Sequence, residues 1–135
     1  MKKTGSEIEA DMFELINSSA LKTAISGSVY KTGMRPLNSK TEDVVIAFIA
    51  GLDAQIQTGV VRVNVYVSDI DNGTGVFVKN SSRCKALEIL TNGIVLGFTP
   101  GEYRFQLGGM IQTVKAEGLN QHYVSANIKF QLSTL

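Results

Sequence analysis

Residues 59–70, GVVRVNVYVSDI, alternate apolar and polar positions with a period of two. Val61, Val63, Val65 and Val67 alternate with Arg62, Asn64, Tyr66 and Ser68. Successive strand side chains point to opposite faces, so one face is all valine and the other is polar with one aromatic. β-Branched residues suit a pleated surface. A slip by one residue would turn every valine to the wrong side, so the register is firmly set. The stretch is expected to be a central strand with its valine face against a helical layer.

Upstream, Ser6 and Glu9 match the S-x-x-E capping box of a helix start. Ile8, Met12, Leu15 and Ile16 then fall on one helical face, and Glu7, Glu9, Asp11 and Glu14 suit the positive end of the helix dipole. The pattern predicts a first helix of about three turns. An extension through Ala20, Leu21 and Ile25 is weakened by Asn17, Ser18 and Ser19, and Gly27 ends it. Residues 28–31 are short and β-prone, and Gly33, Pro36 and Asn38 mark a loop. Residues 41–50, TEDVVIAFIA, are apolar on both faces from Val44 to Ile49. Such a run is a strand buried on both sides, or one whose second face meets another subunit.

Beyond the valine strand, Asp69, Asp71, Asn72, Gly73 and Gly75 form a dense turn cluster. Asn80, Ser81 or Ser82 caps a second helix, in which Cys84, Leu87, Leu90 or Thr91, and Ile94 recur at helical spacing. Gly93 costs that helix about 1 kcal/mol of propensity, and Gly97 and Pro100 stop it. Residues 102–115 place Tyr103, Phe105, Leu107 and Ile111 on one face, with Gly108 and Gly109 as a bulge or a close-approach point. Residues 122–132 alternate cleanly, so the two stretches read as a long hairpin. The order is α-β-β-β-α-β-β. It implies a single α+β domain over residues 1–135, with one largely antiparallel, mixed sheet of about five strands and two helices on one face. The exposed sheet face would carry Arg62, Asn64, Tyr66, Ser125, Asn127 and Lys129.

Composition adds bounds rather than an activity. The chain is 44% hydrophobic and 19% charged, as a soluble globular protein is, and its net charge of +1 gives no strong pull toward nucleic acid or anionic membrane. Cys84 is the only cysteine, so no internal disulfide forms, which suits a reducing compartment. No apolar run approaches the roughly 20 residues of a membrane helix. The opening MKKTGSEIEAD lacks the apolar core of a signal peptide, and a cytoplasmic home is expected.

No reactive constellation emerges. His122 is the only histidine and has no cysteine or obvious carboxylate partner in the sequence, so a surface role is expected. Cys84 sits on the apolar face of the second helix, where a thiol acts as a small hydrophobe. Asp69, Asp71 and Asn72 resemble the start of a calcium loop. Asn80 stands where the closing glutamate belongs, so ordinary turn hydrogen bonding is favoured. Lys79, Arg83 and Lys85 form a small basic cluster without interleaved aromatics. No residue is assigned a catalytic, cofactor-binding or metal-binding role.

Gly27, Val29 and Tyr30, then Arg35-Pro36 and Asn38-Ser39, then the segment 42–46, then Gln57 and the strand with Asn64, Tyr66, Val67 and Asp69 form a progression: G-x-V-Y, R-P-x-N-S, E-D-x-V-I, N-V-Y-V. In this middle third to half of the chain the sequence resembles the tail-terminator or tail-completion proteins of long-tailed phages. The resemblance implies a non-enzymatic virion assembly protein. Such proteins form rings, commonly hexamers, that cap the tail tube and present a surface to the head-side connector. It implies self-association, tail-tube and head-connector partners, no membrane, no specific nucleic-acid binding and no cofactor. The place would be the host cytoplasm during assembly and then the virion tail. Tyr30, Arg35, Pro36, Val44, Ile46 and Phe48 are the candidate subunit contacts, with the loop 31–40 as an arm toward a neighbour. A second reading is a small non-enzymatic α+β binding module, monomeric or dimeric, with Arg62, Tyr66 and Tyr123 on the polar sheet face as partner contacts.

Overall fold

The computed structural model describes residues 2–98 and 101–133. Its centre is the pairing of β3 (Ile56–Ser68) with β8 (Gln121–Ser133), antiparallel and in register over the whole length of both strands. Val61, Val63 and Val65 are fully buried and Val67 nearly so. Opposite them, Val124, Ala126, Ile128, Phe130 and Leu132 of β8 point the same way. Burying one valine is worth about 1.5–3 kcal/mol, so four are comparable to a domain's whole net stability of about 5–15 kcal/mol. A slip by one residue would turn that face to solvent.

The main sheet has six strands. β1 (Val29–Lys31) runs parallel to β2 (Val44–Leu52), β2 is antiparallel to β3, and β8 carries both β6 (Tyr103–Leu107) and β7 (Gln112–Lys115) on its far side. The fold is α+β. Helices α1 (Gly5–Asn17), α2 (Ala20–Ala24) and α3 (Ser81–Gly97) contribute Ile8, Met12, Ile16, Leu21, Cys84, Leu87 and Val95 to the core beneath the valines.

Several local details differ from the sequence expectation. Helix α1 starts two residues early. The capping box is Thr4 with Glu7, which leaves the Glu9 carboxylate to accept from the Phe48 amide at 3.3 Å. The chain breaks at Ser18 and Ser19, so Leu21 enters the core from a separate short helix. Asn80 caps α3, which runs through Gly93 to Gly97; Pro100 lies outside the described residues. The stretch after Glu102 is two strands. The register against β8 changes by two residues between Leu107↔Ile128 and Gln112↔Ser125. An even offset preserves the facing of side chains, which is why the alternation read correctly across a real interruption. The turn cluster contains a separate two-stranded ribbon, β4 (Ile70–Asp71) with β5 (Phe77–Val78).

Residues Val44 and Ile46 were expected to meet a neighbouring subunit, and the structure overturns this. Both are fully buried under the protein's own helices. The strand is apolar on both faces because β2 has a core face, Val44 and Ile46, and an outward face, Val45 and Ala47, which is half-buried. Phe48 is partly buried against Gly5 and Phe130, with ring centroids 6.3 Å apart for the aromatic pair.

Gly59 is a position where close approach demands glycine. A Cβ there would overlap the Ala50 carbonyl and lie 2.8 Å from the Phe130 ring. We expect Gly59→Ala to cost about 1–3 kcal/mol by overpacking, and Ile46→Ala about 2–5 kcal/mol by leaving a cavity. Urea unfolding of the two variants measures both. An Ile46→Ala protein of unchanged stability would contradict its place in the core.

Candidate functional site

The bare face of the sheet, opposite the helices, is the surface that the fold leaves without a layer. Arg62, Asn127, Lys129, Arg104 and Gln106 are exposed on it, and Asn64, Tyr66, Tyr123 and Ser125 are half-buried. Arg62 Nε donates to Asn127 Oδ1 of the paired strand at 3.0 Å. The Tyr66 and Tyr123 rings, directly cross-strand, have centroids 5.4 Å apart. Asn64 Oδ1 is enclosed with no hydrogen-bond partner among the described residues.

One end of this face is closed by the loop 32–43, and the closure rests on Asp43. This carboxylate is fully buried. It accepts from the Ser28 amide at 3.0 Å, Arg35 Nε at 2.9 Å, Thr41 Oγ1 at 2.9 Å and Ser39 Oγ at 2.5 Å. Burial works to raise its pKa. The hydrogen bonds from Ser39, Ser28, Thr41 and Arg35 outweigh burial and hold the carboxyl below its ordinary value. Arg35 also donates through Nη2 to the Ser39 and Thr41 carbonyls at 3.3 Å each and to Gln121 Oε1 at 3.2 Å. Its guanidinium lies over the Tyr66 ring, 4.0 Å from the centroid. A Cβ on Gly27 would overlap Asp43 Oδ1, so glycine is required beside the node.

Two sets of candidates therefore meet. Arg35, expected to reach a neighbour, is bound to its own Asp43 and covers Tyr66, expected to reach a partner. Arg35 and Tyr66 are spent within the chain because a buried carboxylate needs a charged partner. Arg35 is thus held within its own chain, while Pro36 is exposed, Leu37 is 95% exposed and Met34 69%. Tyr30 is half-buried on the outward side of β1. Tyr123 and Arg62 stay on the bare face.

The other acidic residue of the E-D pair is also engaged within the chain. Glu42 takes a two-pronged contact from Arg83, Nε at 2.6 Å and Nη2 at 2.8 Å, and Arg83 also donates to the Ala24 carbonyl. This ties α3 to α2 and to the start of β2. His122 does have a carboxylate partner, contrary to expectation. Its Nδ1 lies 2.7 Å from Asp69 Oδ1, with Lys115 Nζ 3.6 Å from the other oxygen. Asp69 follows β3 and His122 opens β8, so only the strand pairing brings them together. Cys84 is buried, and burial pushes its thiol pKa up, away from a thiolate nucleophile. Asp71 Oδ1 accepts from the Gly73 and Gly75 amides, and Asn72 Oδ1 from Thr74, as turn residues do. Among the described residues no cluster of three or more His, Cys, Asp or Glu is placed to hold a metal, and no helix is long and apolar enough to cross a membrane.

Two exposed apolar projections went unread in the sequence. Ile70, Val76, Phe77 and Val78 are exposed on the β4–β5 ribbon, and Leu52 and Ile56 flank the tip of the β2–β3 hairpin. The signal for the first was present: apolar residues on both sides of D-N-G-T-G are a hairpin pattern. The two sit at opposite ends of β3, about 40 Å apart along a 13-residue strand.

A scan of protein-family models finds no match to the chain, and a search of curated proteins finds none either.

The Asp43 node predicts a defined acid response. A depressed carboxyl contributes stability that is fully present above its unfolded pKa of about 3.9 and is lost as pH falls through the folded value. We expect Asp43→Ala to cost about 3–5 kcal/mol, since it strands the nearly buried Arg35. In Asp43→Asn this acid-sensitive component should vanish. Denaturant midpoints measured across pH 2–6 test it. A wild-type and Asp43→Asn pair with parallel pH profiles would contradict the assignment.

Proposed function

We propose that this protein is a non-enzymatic assembly subunit, of the kind that caps a phage tail tube as a ring and joins it to the head-side connector. The supporting observation is the pair of unlike apolar projections at the two ends of β3. An adaptor between two different structures needs two different contact surfaces on opposite sides. Ile70, Val76, Phe77 and Val78 supply one, and Leu52 and Ile56 the other. An isolated two-stranded ribbon is marginal by itself, and four exposed apolar side chains on so small an element suit seating against a partner. The polar networks support the same reading from the other side. Arg83–Glu42 and His122–Asp69 each join separate segments of the chain, and Arg35–Asp43 closes the loop 32–43 on itself.

In this reading the bare sheet face and the helical face lie around the ring, and the ribbon and hairpin point along its axis toward connector and tube. The cargo is shape: a closed ring at the tube end leaves no site for the next tube subunit. The progression of residues 27–69 that resembles tail terminators supports it, because Gly27, Arg35, Ser39 and Asp43 from that progression form one connected node.

Electron microscopy of tail tubes assembled from the same genome's tube protein tests the proposal. Added protein should cap tube ends and shorten the length distribution. Replacing Val76 and Phe77 together by serine, or Leu52 and Ile56 together by serine, should weaken attachment on one side only, with an unchanged circular dichroism spectrum. Bare tube ends at saturating wild-type protein would overturn the function.

A further inference from the structure

The bare sheet face is basic, and the outer face of α1, on the other side of the molecule, is acidic. Arg62 lies on β3 opposite Asn127, Lys129 is two residues further along β8, and Arg104 on β6 lies opposite Gln131, two further again. The three cations therefore form a diagonal line across three neighbouring strands, each step about 7–8 Å. Asp43 is buried beneath Arg35 at this face, and Glu102, which is exposed, precedes Arg104 by two residues. Beside the line runs a groove of about 400 Å³ lined by Val60, Arg104, Gln106, Lys129 and Gln131 with Thr58 at its end.

Helix α1 has four carboxylates, Glu7, Glu9, Asp11 and Glu14, and no Lys or Arg. Glu7 accepts from Thr4 in the capping box, and Glu9 and Asp11 are engaged by the Phe48 amide and by Lys3 and Tyr103. Glu7 and Glu14 are exposed, two turns apart on one face, with half-buried Ala10 between them. Seven residues of helix span about 10 Å, which long Arg and Lys side chains on the diagonal can reach. Glu14 and Lys129 have no ion-pair partner among the described residues.

We infer that the bare sheet face docks the outer face of α1 of a second copy of this chain, with Glu14 and Glu7 set along the Arg62–Lys129–Arg104 diagonal. The inference rests on the ring reading above and names its lateral contact. The two surfaces lie on opposite sides of a two-layer molecule, so the contact is head-to-tail. Repetition of a head-to-tail contact closes a ring when its rotation divides a full turn without a rise. Charge sets register and partner choice at such a contact, and the small Ala10 lets the helix approach the groove.

Charge exchange tests it. Glu14→Lys and Lys129→Glu each place like charges at the contact, and each should lower the self-association constant about tenfold by sedimentation equilibrium at low salt. An equimolar mixture of the two variants restores opposite charges at every contact and should associate as the wild type does. A zero-length carbodiimide should join Glu14 to Lys129 between isotopically distinct wild-type copies. Single variants that associate normally, a mixture that fails to recover, or a wild type that stays monomeric at all concentrations would overturn the inference. So would a Lys129→Glu protein that loses DNA binding while self-association is unchanged. Tube capping separates the two readings. Charge variants that still cap tubes leave the ring but remove this contact; the predicted association pattern without capping leaves the contact but removes the tube.

Discussion

The unbroken pairing of β3 with β8 is the constraint on which the other features rest. Thirteen positions in register put Val61, Val63, Val65 and Val67 beside Val124, Ala126, Ile128 and Phe130 on one surface. The helices cover that surface and are too few to cover the other. A two-layer α+β domain of this kind has one face finished and one face bare. The same pairing sets where the ribbon and the hairpin project, since each leaves an end of β3. It also brings Asp69 to His122 and sets Arg62 diagonal to Lys129, and the pairing of β6 with β8 adds Arg104.

Buried polar groups then decide which parts of the bare face stay open. Asp43 sits where the outward face of β2 begins, and a carboxylate there must find donors. It finds them in Ser28, Arg35, Ser39 and Thr41, and in doing so folds the loop 32–43 over Tyr66. The covered end holds Tyr66, beneath Arg35. The open end holds the cations and the groove. The division between a self-contained corner and an available surface is thus an electrostatic consequence of one buried charge.

Much of this architecture was legible as periodicity. The valine strand, the clean alternation of residues 122–132 and the Ile8–Met12–Ile16 stripe each report a face directly, and the structure buries those faces. Lateral relations were not legible. Val44 and Ile46 looked like interface residues because an apolar run does not say which of its faces the helices take. Arg35 looked free because its partner Asp43 lies eight residues on, across a loop whose path sequence spacing does not give. His122 looked alone because Asp69 is 53 residues away and becomes its neighbour only through the β3–β8 register. The ribbon is hard to see in the sequence because its strands are two residues each, too short to show a period beside the strong turn signal of Asp71, Asn72 and Gly73. The cation diagonal needs strand order, which the chain does not spell out.

The central claim is that the face left bare by the fold is an interface between copies of this chain, with the ribbon and hairpin free for other partners. Cryo-electron microscopy of capped tube ends tests it most directly. The account predicts a closed ring in which each subunit lays its sheet face on α1 of the next, with the ribbon on one rim and the β2–β3 hairpin on the other. A ring joined through other surfaces, with Arg62 and Lys129 facing solvent, would contradict it.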